Sequence, residues 1–101
     1  MMNNELYGWG NNRNGQLGIE NTSNQSSPQK IKSIKDVIQI GHGWAHSLFL
    51  KNDQSLFSCG NNGKGQLGIG NNLNQNTPNK INSIQNVIQI SCGEEHSMAL
   101  T

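Results

Sequence analysis

Charge is scarce in this chain. Only 13% of its 101 residues are Asp, Glu, Lys or Arg, for a net charge of +1, against an ordinary share of about 25%. Lys30, Lys32 and Lys35 cluster, but fifty residues on only Lys80 remains, with Asn82 and Gln85 in the other places. Nucleic-acid binding draws on many Lys and Arg contacts to phosphates, so it finds little support here, and the lysines read as a solvated strand edge. No apolar run approaches the roughly 20 residues of a membrane span, so no membrane partner is expected. The first residues, Met1-Met2-Asn3-Asn4-Glu5, lack the charged-then-apolar order of a secretory signal. There are two cysteines, Cys59 and Cys92, and without a signal they read as reduced thiols of an intracellular protein, cytoplasmic or nuclear. The acceptor patterns Asn21-Thr22-Ser23 and Asn24-Gln25-Ser26 then stay unglycosylated.

What replaces charge is Asn and Gln, a surface polar without being charged. The apolar share is 32%, and the 12 glycines bring it close to the usual range of about 45–50%. The Ile- and Leu-containing segments recur in register, which low-complexity sequence would not maintain, so the chain is globular.

The recurrence is extensive. Gly10-Asn11-Asn12-Arg13-Asn14-Gly15-Gln16-Leu17-Gly18-Ile19 returns fifty residues later as Gly60-Asn61-Asn62-Gly63-Lys64-Gly65-Gln66-Leu67-Gly68-Ile69. Ile31, Ser33, Ile34 and Val37-Ile38-Gln39-Ile40 return as Ile81, Ser83, Ile84 and Val87-Ile88-Gln89-Ile90. The chain is one repeat region, residues 1–101, with repeats at about 6–50 and 56–101. Residue types kept in both copies serve the repeat's fold; function is expected where the copies differ.

Within one repeat, Val37-Ile38-Gln39-Ile40 predicts a buried strand ended by Gly41-His42-Gly43. Helical spacing of Ile31, Ile34 and Ile38 offers a rival helix, opposed by β-branched residues and the lack of a cap. His46-Ser47-Leu48-Phe49-Leu50 predicts a second strand, Lys51-Asn52-Asp53-Gln54 a polar turn, and Leu56-Phe57-Ser58-Cys59 a third strand. Gly60 through Gly68 reads as a loop with several positive-φ positions. A fourth strand follows at Thr77-Pro78-Asn79-Lys80-Ile81, placed at a sheet edge because proline cannot donate to a ladder. The fold class is therefore all-β: four-stranded antiparallel propeller blades, the Val/Ile strand innermost. Residues 6–35 supply half a blade, 37–85 a full blade and 87–101 another half, an incomplete β-propeller.

Trp9-Gly10-Asn11, Gly15-Gln16-Leu17-Gly18, Pro28, Val37-Ile38, Ile40, Gly43, His46-Ser47 and Leu50 together resemble the repeat of the regulator of chromosome condensation. The second copy carries the same pattern through Cys59-Gly60-Asn61, Gly65-Gln66-Leu67-Gly68, Pro78, Val87, Gly93, His96-Ser97 and Leu100. The resemblance implies a seven-bladed propeller closed by strands from both chain ends. Here only about two repeats are present. Two open edges invite pairing with other strands, so the chain is a fragment of a longer protein or a unit that self-associates through those edges. Two blades per chain cannot tile a seven-fold ring, whereas three or four chains close six or eight blades. The fragment is favoured, and a compact trimer or tetramer in sedimentation would overturn that choice.

Sites of chemistry are weighed against plainer roles. Gly63-Lys64-Gly65-Gln66-Leu67-Gly68 matches G-x-G-x-x-G, but no helix pattern follows and the first copy has Arg13 for the first glycine, so no nucleotide cofactor is expected. His42, His46, Cys59, Cys92 and His96 lack metal-ligand spacing, and His46 and His96, as repeat equivalents, are expected to hydrogen-bond their own blades. Ser47 and Ser97 sit beside those histidines, yet no nucleophile elbow exists; no catalytic residue, metal or cofactor is assigned. The sharpest difference between copies is Glu94-Glu95 in place of Trp44-Ala45, in the loop after the innermost strand. The pair is a solvated acidic turn or a partner contact; Trp44 is an interface aromatic or packs on the neighbouring blade. The expected function is a non-catalytic protein-interaction module with Trp44, Glu94 and Glu95 as candidate contacts. The resemblance implies small GTPases of the Ran type as partners, through nucleotide exchange that would need further blades, or else chromatin, which the near-neutral charge disfavours.

Overall fold

The computed structural model describes residues 4–101. Eight strands form three antiparallel sheets. Strands β1 (Tyr7–Gly10) and β2 (Gln25–Lys30) pair alone. Strands β3 (Val37–His42), β4 (His46–Lys51), β5 (Leu56–Gly60) and β6 (Gln75–Lys80) form one sheet in that order. Strands β7 (Gln89–Cys92) and β8 (Ser97–Leu100) pair as a third unit. This is the half, full, half division read from the repeat, and no described residue is helical. Ile31 and Ile34 are buried in the β2–β3 connection instead of on a helix face. No helix is long and apolar enough to cross a membrane among the described residues.

The β4–β5 hairpin shows how local chemistry fixes the middle sheet. Ser55 N–H donates to Asp53 Oδ1 at 3.0 Å, and Gln54 N–H to the Lys51 carbonyl at 2.9 Å. Gln54, not the neighbouring Asn or Asp, takes the left-handed conformation at φ 70°. The ladder then runs in unbroken register from His46 opposite Gly60 to Leu50 opposite Leu56. Alternation sends Leu48, Leu50 and Leu56 to one face, with Ile81, Val87 and Ile90. Phe49 and Cys59 go to the other, with Ile31, Ile34 and Val37. Both faces are covered, which is why Leu48-Phe49-Leu50 is apolar at successive positions.

Proline sits where the ladder can spare a donor. Strands β2 and β6 are sheet edges, as Pro28 and Pro78 require, and the pairing shifts register across each of them.

Two strand expectations are corrected. Strand β3 continues through Gly41 to His42. A Cβ at Gly41 would lie 3.3 Å from Cys92 Sγ and 3.6 Å from Ile90 Cδ1, so this glycine admits β7 at close range instead of ending the strand. Nor is β3 buried along its length: Ile40 is 53% exposed, whereas its repeat equivalent Ile90 is 6% exposed. Ile90 packs against Leu48 and Leu50 of the preceding blade; the half-blade before Ile40 has no strands at those positions.

Candidate functional site

The loop joining β5 to β6 is folded around a buried amide. Asn62 is fully enclosed; its Oδ1 accepts Leu67 N–H at 3.0 Å, and its Nδ2 donates to the carbonyls of Asn71 at 2.7 Å and Leu73 at 3.0 Å. Asn12 does the same one repeat earlier, accepting from Leu17 N–H at 3.0 Å and donating to the Asn21 carbonyl at 2.9 Å. Gly60, Gly65 and Gly68 have positive φ, as the loop's composition predicted. The composition also suggested that the amides were surface. For Asn12, Asn62, Gln16 and Gln66 that is wrong: all four are buried. A loop that must satisfy its own backbone away from water recruits side-chain amides, which carry both donor and acceptor. The signal was available, since Asn12 and Asn62 follow the same Gly-Asn in both copies. The G-x-G-x-x-G segment lies inside this loop and leads to a strand, with no helix to receive a pyrophosphate.

The paired histidines have a different role from the one expected. His46 does not bond within its own blade. Its Nε2 lies 3.0 Å from Ser97 Oγ in the next blade, and Ser97 Oγ donates to the Gln66 carbonyl at 2.7 Å. A hydroxyl has one proton and here it goes to the carbonyl, so Nε2 carries the imidazole proton and donates to Ser97. Ser47 Oγ makes the same tie to the Gln16 carbonyl at 2.7 Å. The His-Ser-carbonyl chain is thus a latch between successive blades. It also leaves Ser97 without an activating base, because His46 faces it as a donor. His96, the second copy's histidine, is exposed. Among the described residues no three His, Cys, Asp or Glu side chains converge as a metal site. Cys59 and Cys92 are unpaired; burial pushes the Cys59 thiol up to about 12 and raises that of Cys92.

His46 Nδ1 is buried with no partner, and burial lowers the histidine's pKa below its ordinary value. Desolvation by burial outweighs the His96 backbone hydrogen bond that would favour the charged ring, so protonating His46 costs stability in the folded state. The unfolded chain therefore binds more protons than the folded one as pH falls through about 6.5, and stability must fall with it. We expect the melting temperature to drop between about pH 7.5 and 5.5, and to drop less in His46→Gln. The carboxyls of Glu5 and Asp53, held low by hydrogen bonds from Lys30 and Ser55, titrate below this window. Equal pH slopes in the two proteins, by circular dichroism, would remove His46 as the cause.

The residues by which the copies differ lie at one end of the blades. Trp44 N–H donates to the Glu94 carbonyl at 3.2 Å, so the two divergent loops are neighbours. The Trp44 side chain is 76% exposed and does not pack on the next blade. Glu94 and Glu95 are exposed beside it. Asn61 N–H donates to the Ala45 carbonyl at 2.8 Å, which brings the β5–β6 loop and exposed Lys64 to the same end. Sequence reasoning missed that Trp44 shares a cleft of about 390 Å³ with Tyr7, Trp9 and Ile40.

Comparison with known proteins accords with this geometry. The model of the regulator of chromosome condensation (RCC1) repeat matches twice, over residues 3–50 and 53–100, and a second model of that repeat matches residues 37–66. The ultraviolet-B receptor UVR8 of Arabidopsis thaliana is 44% identical over 46 residues, 44% of this chain and 10% of that protein. An RCC1 domain-containing protein of Dictyostelium discoideum is 41% identical over 54 residues, 52% of this chain and 8% of that protein. Among solved structures, yeast RCC1 (Prp20) bound to Kap60 superposes with a TM-score of 0.86 at 27% identity, over 99% of this chain and 26% of that one. Human WBSCR16 superposes with 0.76 at 28% identity, over 91% of this chain and 26% of its own. The chain thus spans about a quarter of the solved propellers it matches and a tenth or less of the curated relatives. With two consecutive repeat matches covering nearly all of its residues, the chain belongs to the regulator of chromosome condensation (RCC1) repeat family.

Proposed function

We propose that this chain is a non-catalytic, intracellular protein-interaction module, part of a propeller whose contacts come from the loops holding Trp44, Glu94 and Glu95. The observation that carries this reading is the division of labour between shared and divergent residues. What the copies share is absorbed by the fold: Asn12 and Asn62 hold loops, and Ser47 and Ser97 tie blades together. What they do not share, Trp44 against Glu94-Glu95, stands exposed on adjoining loops. An exposed Trp beside acidic residues suits a protein surface offering an apolar pocket rimmed by Lys or Arg.

A second reading is regulation of nucleotide exchange on a small GTPase in company with further blades. It is supported by the fit to yeast Prp20p, whose crystal structure was described together with its binding properties to Gsp1p and histones. A net charge of +1 gives little support for contact with the phosphates of chromatin DNA. A pull-down of nucleotide-free Ran-type GTPase by the purified chain separates the two readings, since capture is expected only under the second. The purified chain, mixed with a Ran-type GTPase loaded with fluorescent GDP, is expected to leave the release rate unchanged, because two blades offer too small a face to grip the GTPase; acceleration would establish the second reading. Trp44→Ala combined with Glu94→Lys and Glu95→Lys is expected to abolish partner capture in affinity purification while the melting curve stays put. Capture that survives all three substitutions would remove these loops as the contact.

A further inference from the structure

We propose that Thr77 is a phosphoacceptor for a proline-directed serine/threonine kinase, presented on the outer rim of the middle blade. The sequence there is Thr77-Pro78-Asn79-Lys80. A kinase of this class takes its substrate as an extended segment. Its pocket for the residue after the acceptor leaves a backbone N–H unpaired, which selects proline, the one residue without that donor. A cation three places past the acceptor pairs with acidic groups of the enzyme. Pro78 and Lys80 meet both conditions, and Lys80 is exposed. Strand β6 is the outermost of a four-stranded blade and the chain continues past both of its ends, so its free edge belongs to the blade itself.

The rim is shaped for access at this residue. Ser58 pairs with Asn79 and Gly60 with Gln75, so Cys59 alone faces Asn76, Thr77 and Pro78. Those three residues form a bulge released from the ladder. Asn79 Nδ2 braces it, donating to Gln75 Oε1 at 2.9 Å and to the Thr77 carbonyl at 3.2 Å. The preceding repeat holds the flanking residues: Glu20 N–H donates to the Asn76 carbonyl at 2.9 Å, and a Cβ at Gly18 would lie 3.2 Å from Pro78 Cδ. Even with that repeat in place Thr77 is only half-buried. A following repeat leaves the position open too, since the equivalent Ser27 is exposed with the middle blade after it. Ser33 and Ser47 commit their hydroxyls to carbonyls of the fold. The Thr77 hydroxyl has no such partner among the described residues, so a phosphate there displaces no bond. Ser27-Pro28-Gln29-Lys30 carries the same pattern on β2, but no repeat precedes it in this chain to show its surroundings, so Thr77 is the acceptor assigned.

In the transfer, Thr77 Oγ1 bonds the γ-phosphorus of magnesium-bound ATP and the bond from that phosphorus to the β–γ bridging oxygen breaks. ADP leaves, and the hydroxyl proton passes to the kinase's carboxylate base. The product adds a charge of about −2 to a chain whose net charge is +1. The test uses the whole chain carrying Ser27→Ala, which leaves one Ser/Thr-Pro site because the sequence has 2 prolines. It is incubated with a cyclin-dependent kinase, magnesium and ATP well below its melting temperature, and phosphate is located by peptide mass. One phosphate is expected, on Thr77. The initial rate is expected to fall within about tenfold of that for a free peptide of residues 73–82, because a bulged edge needs little opening. Lys80→Ala, at an exposed position, is expected to lower the rate roughly tenfold with the melting curve unmoved. A folded chain slower than the peptide by more than that margin, phosphate on a residue other than Thr77, or a rate indifferent to Lys80→Ala would overturn the proposal.

Discussion

Gly60→Ala is expected to unfold this protein, while the same change at its repeat equivalent, Gly10→Ala, is expected only to weaken it. Both glycines have φ above 100°, a conformation that costs an L-residue on the order of 1–3 kcal/mol. They differ in what a methyl group would meet. At Gly60 it would collide with the Ala45 carbonyl oxygen, and come within 2.8 Å of His46 Cα and 3.1 Å of Gln16 Cβ. Two of these are backbone atoms, and the carbonyl is pinned by the Asn61 N–H at 2.8 Å. Overpacking against backbone adds roughly 1–3 kcal/mol or more. At Gly10 nothing lies within 4 Å, so only the dihedral cost applies. In a domain of this size a destabilisation of 1 kcal/mol moves the melting temperature by about 4–8 °C. Gly10→Ala should therefore lower it by roughly 5–20 °C, and Gly60→Ala should leave little cooperative transition by circular dichroism. Similar losses for the two variants would mean that the contact with Ala45 and His46 does not govern this position.

The contrast between those glycines also marks where the sequence was readable. Strand order, the half-blade boundaries, the edge position of Pro78 and the positive φ of Gly60, Gly65 and Gly68 follow from chemistry within a few residues, and all were legible. Features set by a neighbouring blade were not. Nothing near His46 in the chain announces that its partner is Ser97, fifty-one positions away. Nothing near Ile40 reveals that it stays exposed while its equivalent Ile90 is covered by Leu48 and Leu50 of the blade before it. Gly41 looked like a strand terminator, because the approach of Cys92 that requires it is a contact between blades. The buried amides failed for another reason: Asn is ordinarily a surface residue, and the backbone groups it satisfies appear only once the loop has closed. Of the candidate site, the identity of the divergent residues could be read directly, but the hydrogen bond placing Trp44 against Glu94 could not.

Asn62→Asp tests whether that buried amide, and not merely its volume, holds the loop. The substitution is nearly isosteric and keeps the oxygen that accepts Leu67 N–H. It replaces Nδ2, which donates to the Asn71 and Leu73 carbonyls, with an oxygen facing two carbonyl oxygens in a site closed to water. Leaving buried acceptors unsatisfied costs about 1–3 kcal/mol each, and a buried carboxylate without a cation adds to that. A loss of roughly 3–5 kcal/mol at neutral pH is expected, against less than about 0.5 kcal/mol for Asn82→Asp at an exposed position. The pH dependence supplies the decisive sign. Burial next to carbonyls raises the new carboxyl's folded pKa above its unfolded value of about 3.9, so the folded state holds the proton longer. The variant is then least destabilised below about pH 4 and loses ground as pH rises, opposite in direction to the His46 effect in the parent chain. Asn12→Asp should behave alike in the first repeat, where Leu17 N–H and the Asn21 carbonyl make the equivalent contacts. Stability of Asn62→Asp that tracks the parent across pH would place the amide in contact with water, and the loop's order would need another cause.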